Sequence, residues 1–467
     1  MAAVQAVRAR SVSPVELVEA ALERIARLDP SVNACTVVFA EEALAEAQAA
    51  ERRLTRGHHP GALCGVPVAI KDVIWVRGAP ATMGTRVLAD FVPSEDAVTV
   101  RRLRQAGAIV VAKTTNPPYC EAGYTESELY GVTRNPWRLD CTPGGSSGGS
   151  GAVVAAGMTP LALGTDMGGS IRIPASFCGI VGLKPTHGVV ARGPCFEEAR
   201  TLNTIGPMAR SVRDIALCLD IIAGPDPADN LSVATGQARY RDAAASATVA
   251  GLRVAWSPDL GDVDVDVSMR NAFARALGAL DSSGWKLEHA CPEVSGTATL
   301  HYDVAQGERG SFADGREALV EPRLRPLLAA AGAVSAKDYF RAQIARASYT
   351  RAWEEFFQRY DLLLTPAVQL AAFKADRPRL AQLNGRTIDV DSDNWWELSL
   401  PASLTGCPAI SVPMGLSDDG LPLGLQIMGP RFADARCIAA AAAVEAVLSW
   451  PRLPQDSRTA PHTEQPL

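Results

Sequence analysis

Residues 142–156 read Thr142-Pro143-Gly144-Gly145-Ser146-Ser147-Gly148-Gly149-Ser150-Gly151-Ala152-Val153-Val154-Ala155-Ala156. Five glycines and three serines fill residues 142–151, a composition that also occurs in flexible linkers. The helix-forming apolar run at residues 152–156 argues against a linker, because it would bury the end of the segment. A strand predicted at residues 161–163 then runs into a second glycine–serine element at residues 164–174. The stretch therefore predicts glycine-rich turns that open onto buried helices and strands.

Short apolar runs and helical patterns alternate on both sides of this stretch. Strands are predicted at residues 66–70, 108–112, 161–163, 180–183, 252–256 and 362–364, and helices at residues 96–105, 211–222, 269–280, 337–360 and 434–448. Ser13-Pro14-Val15-Glu16 has the form of a capping box that begins a further helix. The alternation predicts an α/β fold, a mixed, mostly parallel central sheet covered by helices on both faces.

The same pattern continues through most of the chain and predicts one domain at residues 1–450, with a catalytic core at about residues 60–225. The polar residues 451–467 contain four prolines and predict a flexible tail. In the helix at residues 337–360, an apolar stripe typical of a core-facing helix is formed by Phe340, Ile344, Ala347, Trp353 and Phe357.

Charge and cysteine content exclude several classes of protein. The net charge of −6, without a Lys/Arg-rich run, disfavours a nucleic-acid partner. The ten cysteines are scattered without CxxC spacing, which predicts buried reduced thiols and a cytoplasmic location. No cluster has metal-ligand spacing, so we expect neither a metal nor a cofactor. Residues 1–29 lack the pattern of a secretory signal, and no apolar run is long enough to cross a membrane.

Serine and lysine side chains near the glycine-rich turns are the candidate reactive groups. Residues 144–148 match GxSxG, but no strand precedes them as in a hydrolase elbow. Of the six histidines, only His187 is a serious candidate for a base, and no lysine follows the glycines as in a phosphate loop. Lys71, directly after the strand at residues 66–70, is the remaining base, although a lone lysine there is more often a solvated strand end.

Three segments together resemble the motifs of the amidase signature family. Gly65-Val66-Pro67-Val68-Ala69-Ile70-Lys71-Asp72 is similar to the family's catalytic-lysine segment, and residues 144–150 and 164–174 are similar to its two serine motifs. Lys71 and Ser146 are 75 residues apart and Ser146 and Ser170 are 24 apart, as in the family. Further segments that resemble blocks of the family lie at residues 179–188, 206–210, 406–415 and 421–431. The resemblance therefore extends from the N-terminal helix to about Trp450.

The resemblance implies a Ser-cisSer-Lys triad. Ser170 would be the nucleophile that forms an acyl-enzyme, and Ser146, after a cis peptide bond, would pass the proton to Lys71. Lys71 would be a neutral base, with its pKa moved from about 10.4 to about 7–8. An oxyanion hole is implied for the N–H groups of Met167, Gly168, Gly169 and Ser170. Supporting positions around these turns are implied for Ser147, Thr165, Asp166 and Arg172.

The substrate pocket is predicted from a departure from the family pattern. Where relatives often carry an acidic residue and Phe, this chain has Pro117-Pro118-Tyr119-Cys120, which predicts an apolar wall. Cys120 lies where the family's backbone touches the substrate. The predicted substrate-binding residues are Tyr119, Cys120, Cys195, Phe196 and Trp395.

We therefore expect a hydrolase, monomeric or homodimeric, that cleaves the C–N bond of a small, fairly apolar amide or a carbamate (urethane). An ester is compatible with the same acyl chemistry. Neither nucleic acid nor a membrane is an expected partner. Two alternatives remain open at this point, the transamidating subunit of a multi-subunit amidotransferase and a non-catalytic module that binds an anion with its glycine loops.

Overall fold

The computed structural model describes residues 2–57, 61–196, 200–236, 239–309, 315–448 and 450. Its helices are α1 (Ala2–Arg8), α2 (Pro14–Val32), α3 (Ala40–Thr55), α4 (Val98–Gln105), α5 (Gly148–Ala155), α6 (Arg172–Cys178), α7 (Val212–Ile222), α8 (Tyr240–Ser246), α9 (Val267–Ser282), α10 (Thr297–Glu308), α11 (Arg325–Gly332), α12 (Ala336–Arg359), α13 (Leu400–Thr405) and α14 (Asp434–Val447). The predicted tail at residues 451–467 lies outside the described residues.

The strands are β1 (Cys35–Val38), β2 (Pro67–Lys71), β3 (Ile109–Thr114), β4 (Glu126–Ser127), β5 (Gly131–Val132), β6 (Leu161–Asp166), β7 (Val181–Lys184), β8 (Thr204–Ala209), β9 (Val254–Trp256), β10 (Leu287–His289), β11 (Leu362–Pro366), β12 (Leu380–Leu383), β13 (Arg386–Asp389), β14 (Ala409–Leu416) and β15 (Pro422–Met428). Among the described residues, eleven of them form one sheet in the order β1-β3-β2-β6-β8-β7-β14-β15-β11-β9-β10.

The central sheet is mixed, and its parallel pairs lie in two groups. Strands β3, β2 and β6 run parallel to one another, as do β11, β9 and β10. The strands between these groups pair antiparallel, including the hairpin of β14 and β15. The predicted α/β class with a mixed central sheet is confirmed. Strands from both sides of residues 224–251 enter the same sheet; the division of the chain into one domain at residues 1–450 stays a prediction.

Helices cover both faces of the sheet because successive side chains of a strand point to opposite faces. On β2, Val68 and Ile70 belong to the apolar cluster that includes α4 and α7. Ala69 belongs to the other cluster, with α2, α3 and α5. Lys71 follows the same alternation as Ala69, so its side chain projects toward the face that α5 covers. This register brings the lysine to the N-terminal end of α5.

The predicted elements correspond closely to the observed ones, with one correction. The Ser13 capping box is present, since Glu16 N–H donates to Ser13 Oγ at 3.1 Å and Ser13 N–H donates to the Glu16 carboxylate at 2.7 Å. The predicted stripe on α12 does not face the core along its whole length. Trp353 and Phe357 are buried, whereas Phe340 and Ile344 are 66% and 68% exposed and Ala347 is exposed too. The first half of α12 packs on α10 through a different face, on which Ala342 is buried and Tyr339 Oη donates to Glu308.

No helix in the described part of the chain combines the length and the apolar character needed to cross a membrane.

Candidate active site

Lys71 ends β2 and is completely buried. Its Nζ lies 2.7 Å from Ser146 Oγ and 2.8 Å from Thr165 Oγ1, and these three side chains come from β2, the turn before α5 and strand β6. The lysine is therefore not the solvated strand end that its position alone would favour, but a partner of a serine hydroxyl.

The turn that carries Ser146 is tightly packed and is not a linker. Residues 141–155 are all buried, and the peptide bond between Gly145 and Ser146 is cis, as the family resemblance implies. A Cβ on Gly145 would lie 2.5 Å from the Tyr124 carbonyl oxygen, and a Cβ on Gly149 would lie 2.4 Å from Thr115 Oγ1. The two glycines are required because neighbouring backbone and side chains occupy the space of any larger residue.

Ser147 joins the two serine segments. Its hydroxyl accepts from the Thr165 N–H at 3.2 Å and donates to the Thr165 carbonyl at 3.1 Å, and its own N–H donates to the Ser170 carbonyl at 3.1 Å. The turn before α5 and the turn after β6 are therefore adjacent, and Ser147 and Thr165 lie at the supporting positions that the resemblance implies.

Ser170 lies on the turn between β6 and α6. It is partly exposed, in contrast to the buried Lys71 and Ser146. The preceding Gly169 has a φ of +122°, and a Cβ there would lie 2.3 Å from Ser399 Oγ. A partly exposed hydroxyl beside a buried lysine–serine pair is the arrangement that a nucleophile with an internal proton acceptor requires.

A buried ion pair between Asp166 and Arg172 holds this second turn. Arg172 Nη2 donates to Asp166 Oδ1 at 2.8 Å, and both side chains are inaccessible to solvent. Asp166 also accepts from the N–H groups of Gly169 at 2.8 Å and Ile171 at 3.1 Å. Burial raises the pKa of Asp166, but the Arg172 charge and hydrogen bond, together with Lys184, lower it to about 2. The carboxylate thus remains charged and ties the turn to α6.

We expect Asp166→Ala to destabilise the fold by about 3–5 kcal/mol, because it leaves Arg172 as a buried, uncompensated charge. Urea unfolding followed by circular dichroism measures this change. Asp140→Ala is a matched control, since Asp140 and its partner Lys374 are both largely exposed and such pairs contribute little to stability. The folded-state pKa of Asp166 lies below the ordinary 3.8, so its contribution is present above that pH and is lost as the pH falls toward about 2. Equal changes in the free energy of unfolding for Asp166→Ala and Asp140→Ala would contradict this role.

The four N–H groups predicted as an oxyanion hole are not equivalent. The Gly169 N–H donates to Asp166, so in this conformation it is engaged within the protein, and we correct its predicted role accordingly. For the N–H groups of Met167, Gly168 and Ser170, the structure records no acceptor among the described residues. These three remain the predicted donors to an oxyanion.

The predicted pocket residues fall into two groups. Tyr119 and Cys120 have left-handed backbones, with φ of 54° and 61°, and the Tyr119 N–H donates to the Met83 carbonyl at 2.8 Å. Tyr119 is only 2% exposed, so the partly exposed Cys120 is the residue of this pair with surface to offer a substrate. Cys195 and Phe196 are also partly exposed; their contact with a substrate, like that of Cys120, stays a prediction.

Trp395 is a core residue, and we correct the prediction that it lines the pocket. Its side chain has no exposed surface and stacks on Phe177 with ring centroids 5.7 Å apart. Phe373 packs edge-on against it at 5.1 Å. Phe196, in contrast, is partly exposed at the edge of the core, and its ring centroid lies 4.7 Å from that of Phe91.

Metal-ligating side chains and His187 do not assemble into a second site among the described residues. Among the residues that the structure describes, no group of three or more His, Cys, Asp or Glu side chains could hold a metal ion. His187 lies beside Gly406, whose carbonyl accepts from the His187 N–H at 3.0 Å. Burial, followed by the charges of Arg192 and Lys184, lowers the pKa of His187 to about 3. Its Nε2 has no hydrogen-bond partner among the described residues, so it does not bond to Ser146 or Ser170 in this structure.

Two residues that the sequence patterns did not indicate contact the turn at residues 167–170. His301 Nε2 lies 2.9 Å from the Met167 carbonyl oxygen, and Ser399 Oγ donates to the Gly168 carbonyl at 2.5 Å. They are 134 and 231 residues away in sequence. Neither lies in a motif, so no local signal could have pointed to them.

An α/β fold with a buried lysine–serine pair beside a second, partly exposed serine is typical of enzymes that transfer acyl groups. Residues 16–438 match the family model described as Amidase. The chain belongs to the amidase family.

Known members of the family extend over the same length. An acylamidase of Rhodococcus erythropolis is 36% identical, with 97% of this chain and 96% of that protein aligned. The crystal structure of a bacterial aryl acylamidase of the amidase signature family superposes with a TM-score of 0.87 at 29% identity, covering 96% of this chain and 95% of that one. A glutamyl-tRNA(Gln) amidotransferase subunit from Thermotoga maritima has a TM-score of 0.74 at 32% identity, covering 92% and 91%. The chain is thus a hydrolase of carbon–nitrogen bonds other than peptide bonds.

Proposed function

We propose that this chain hydrolyses a small, fairly apolar amide or carbamate through an acyl-enzyme on Ser170. The observation that carries the proposal is the buried 2.7 Å contact between Lys71 Nζ and Ser146 Oγ. The turn of Ser146 adjoins the turn of the partly exposed Ser170. A serine hydroxyl is a weak nucleophile until a base removes its proton. The pair supplies a path for that proton.

The proposed steps use only groups of this chain and water. Ser170 Oγ bonds to the carbonyl carbon while its proton passes to Ser146, and Ser146 gives its own proton to Lys71. The carbonyl becomes an oxyanion that accepts hydrogen bonds from the N–H groups of Met167, Gly168 and Ser170. The C–N bond then breaks as the leaving nitrogen takes a proton back through Ser146. Water attacks the acyl-enzyme by the same relay and releases the acid and free Ser170.

The substrate proposal is supported by the pairing of charges near the site. Arg200 Nη1 lies 3.6 Å from Met167 Sδ and 3.9 Å from the Glu121 carboxylate. These contacts place Glu121 beside the turn at residues 167–170. Arg309 Nε donates to Glu121 at 3.0 Å, and these two side chains are 5% and 9% exposed. Because the Glu121 carboxylate is already paired with two guanidinium groups, this wall offers no uncompensated negative charge, and a neutral substrate fits it better than a cationic one.

The transamidating subunit of an amidotransferase is the second candidate, since one such subunit is 32% identical to this chain. The higher TM-score with the aryl acylamidase, 0.87 against 0.74, favours the stand-alone hydrolase. Because the chain belongs to an enzyme family, we no longer retain the alternative of a non-catalytic anion-binding module.

Turnover by the purified chain alone tests the proposal. We expect it to hydrolyse neutral members of a panel of small amides, anilides, carbamates and esters without any added protein, and to discriminate against analogues that carry an ammonium group. A fluorophosphonate should modify Ser170 and no other serine, as determined by peptide mass spectrometry. Labelling of Ser170 without turnover of any panel member would favour the amidotransferase alternative. Absence of both labelling and turnover would refute the acyl-enzyme mechanism.

A further inference from the structure

The Met167–Gly168 peptide is held from outside the turn by a histidine. His301 lies on α10, and its Nε2 is 2.9 Å from the Met167 carbonyl oxygen. A carbonyl oxygen can only accept a hydrogen bond, so Nε2 must carry the hydrogen in this contact.

The orientation of this carbonyl determines where the next N–H points. In a trans peptide the C=O and N–H groups point in opposite directions. Because the Met167 carbonyl faces His301, the Gly168 N–H faces away from α10. The following peptide is held on both sides, since the Gly168 carbonyl accepts from Ser399 and the Gly169 N–H donates to Asp166. The Gly168 N–H thus has a defined direction and no acceptor among the described residues.

Contacts on both ends of α10 hold His301 in place. At the start of the helix, Thr297 Oγ1 lies 3.1 Å from Tyr349 Oη on α12. At its end, Glu308 accepts from the Thr201 N–H at 2.9 Å and from Tyr339 Oη at 3.2 Å. A Cβ on Gly168 would lie 3.1 Å from His301 Cε1. The imidazole therefore packs directly on the turn, at a position where glycine leaves room for it.

We propose that His301 is a positioning residue that orients the Met167–Gly168 peptide so that the Gly168 N–H faces the oxyanion formed during hydrolysis. This inference rests on the proposed function. A donor displaced by about 1 Å from the developing charge can lower the rate by about 10²-fold while substrate binding changes little. The role of His301 is thus expressed in kcat rather than in KM.

The test compares two substitutions of this residue. His301→Leu removes the donor, and we expect kcat to fall about 10- to 100-fold with KM changed less than about 3-fold. His301→Gln keeps an N–H donor of similar reach and should recover most of kcat. An alkyl boronic acid, which forms a tetrahedral adduct on serine, should lose affinity for His301→Leu by about the same factor as kcat. The affinity of the product carboxylic acid should remain unchanged.

Controls separate positioning from loss of structure. Tyr360→Phe removes the hydrogen bond from Tyr360 Oη to Glu288, which involves neither α10 nor Met167, and its kcat should remain within about 3-fold of the unmodified chain. If His301→Leu does not fold, His301→Asn, whose amide is too short to reach the carbonyl, takes its place. Unchanged kcat and boronate affinity, or a glutamine variant no better than leucine, would overturn the inference while the unmodified chain still turns over substrate. An unmodified chain with neither turnover nor Ser170 labelling would overturn the proposed function and this inference with it.

Discussion

Ser170→Ala should lower turnover by a factor of about 10⁴ or more, because it removes the only group proposed to form a bond with the substrate. The fold should be unaffected, since the hydroxyl is partly exposed and the adjacent turn is held by the Ser170 carbonyl, which alanine retains. Steady-state kinetics on the best panel substrate measures the loss, and a thermal melt verifies folding. Covalent labelling by a fluorophosphonate should disappear in the same variant.

Ser176→Ala is the matched control for this experiment. Ser176 lies on α6, it is fully buried, and its hydroxyl has no hydrogen-bond partner among the described residues. Its replacement should leave both kcat and labelling close to those of the unmodified chain. If Ser170→Ala kept more than about a tenth of the activity, Ser170 could not be the nucleophile.

Lys71→Arg should lower kcat/KM by about 10³-fold or more, nearly as much as Lys71→Ala. The guanidinium group stays protonated at any pH at which the protein folds, so it cannot accept the proton from Ser146. Arginine retains much of the side-chain volume that alanine removes, so the comparison of the two variants separates base catalysis from packing. The measurement is kcat/KM for both variants across the pH range in which the protein remains folded.

The pH–rate profile assigns the base only when variants are compared. We expect the rate of the unmodified chain to rise with pH through one ionisation as Lys71 loses its proton, and this ionisation to be absent from Lys71→Arg. Lys113 and Lys184 also have pKa values lowered to about 8, chiefly because both are buried. An ionisation in this range is therefore not by itself evidence that Lys71 is the base. His187→Ala should leave the shape of the profile unchanged. An active arginine variant, or an ionisation that disappears with His187, would place the base elsewhere.

Local patterns were sufficient to predict most of the elements that build the site. The predicted strands at residues 66–70, 108–112 and 161–163 correspond to β2, β3 and β6. Such runs can be read from the chain because alternation, helical periodicity and capping are properties of neighbouring residues. The glycine-rich turns could be read in the same way, since five glycines in ten residues that lead directly into an apolar helix are typical of a closely packed turn.

The family resemblance supplied the roles of Lys71, Ser146 and Ser170, which composition and spacing left open. The structure places Lys71 against Ser146 and joins the turn of Ser170 to that of Ser146 through Ser147. That proximity depends on the parallel pairing of β2 with β6, a long-range contact that no local pattern encodes.

Burial of individual apolar side chains depended on packing between distant elements. Trp395 is enclosed by Phe177 and Phe373, and it supports the core where the sequence suggested a pocket wall. Phe340 and Ile344 continue an apolar stripe, yet they lie on a face of α12 that the described residues leave exposed, while the neighbouring Ala342 is buried. An apolar residue at helical spacing can indicate which face it occupies, but whether another element covers that face is decided by the tertiary structure.

The proposed chemistry could therefore be predicted from the chain through the family resemblance, because the candidate residues lie in three short contiguous segments, two of them rich in glycine. The orientation of that chemistry could not. His301 and Ser399 reach the carbonyls of Met167 and Gly168 from α10 and from the segment before α13, and they do so only in the folded chain. Hydrogen bonds between residues more than a hundred positions apart depend on the packing of whole helices and strands, so only the folded chain determines them.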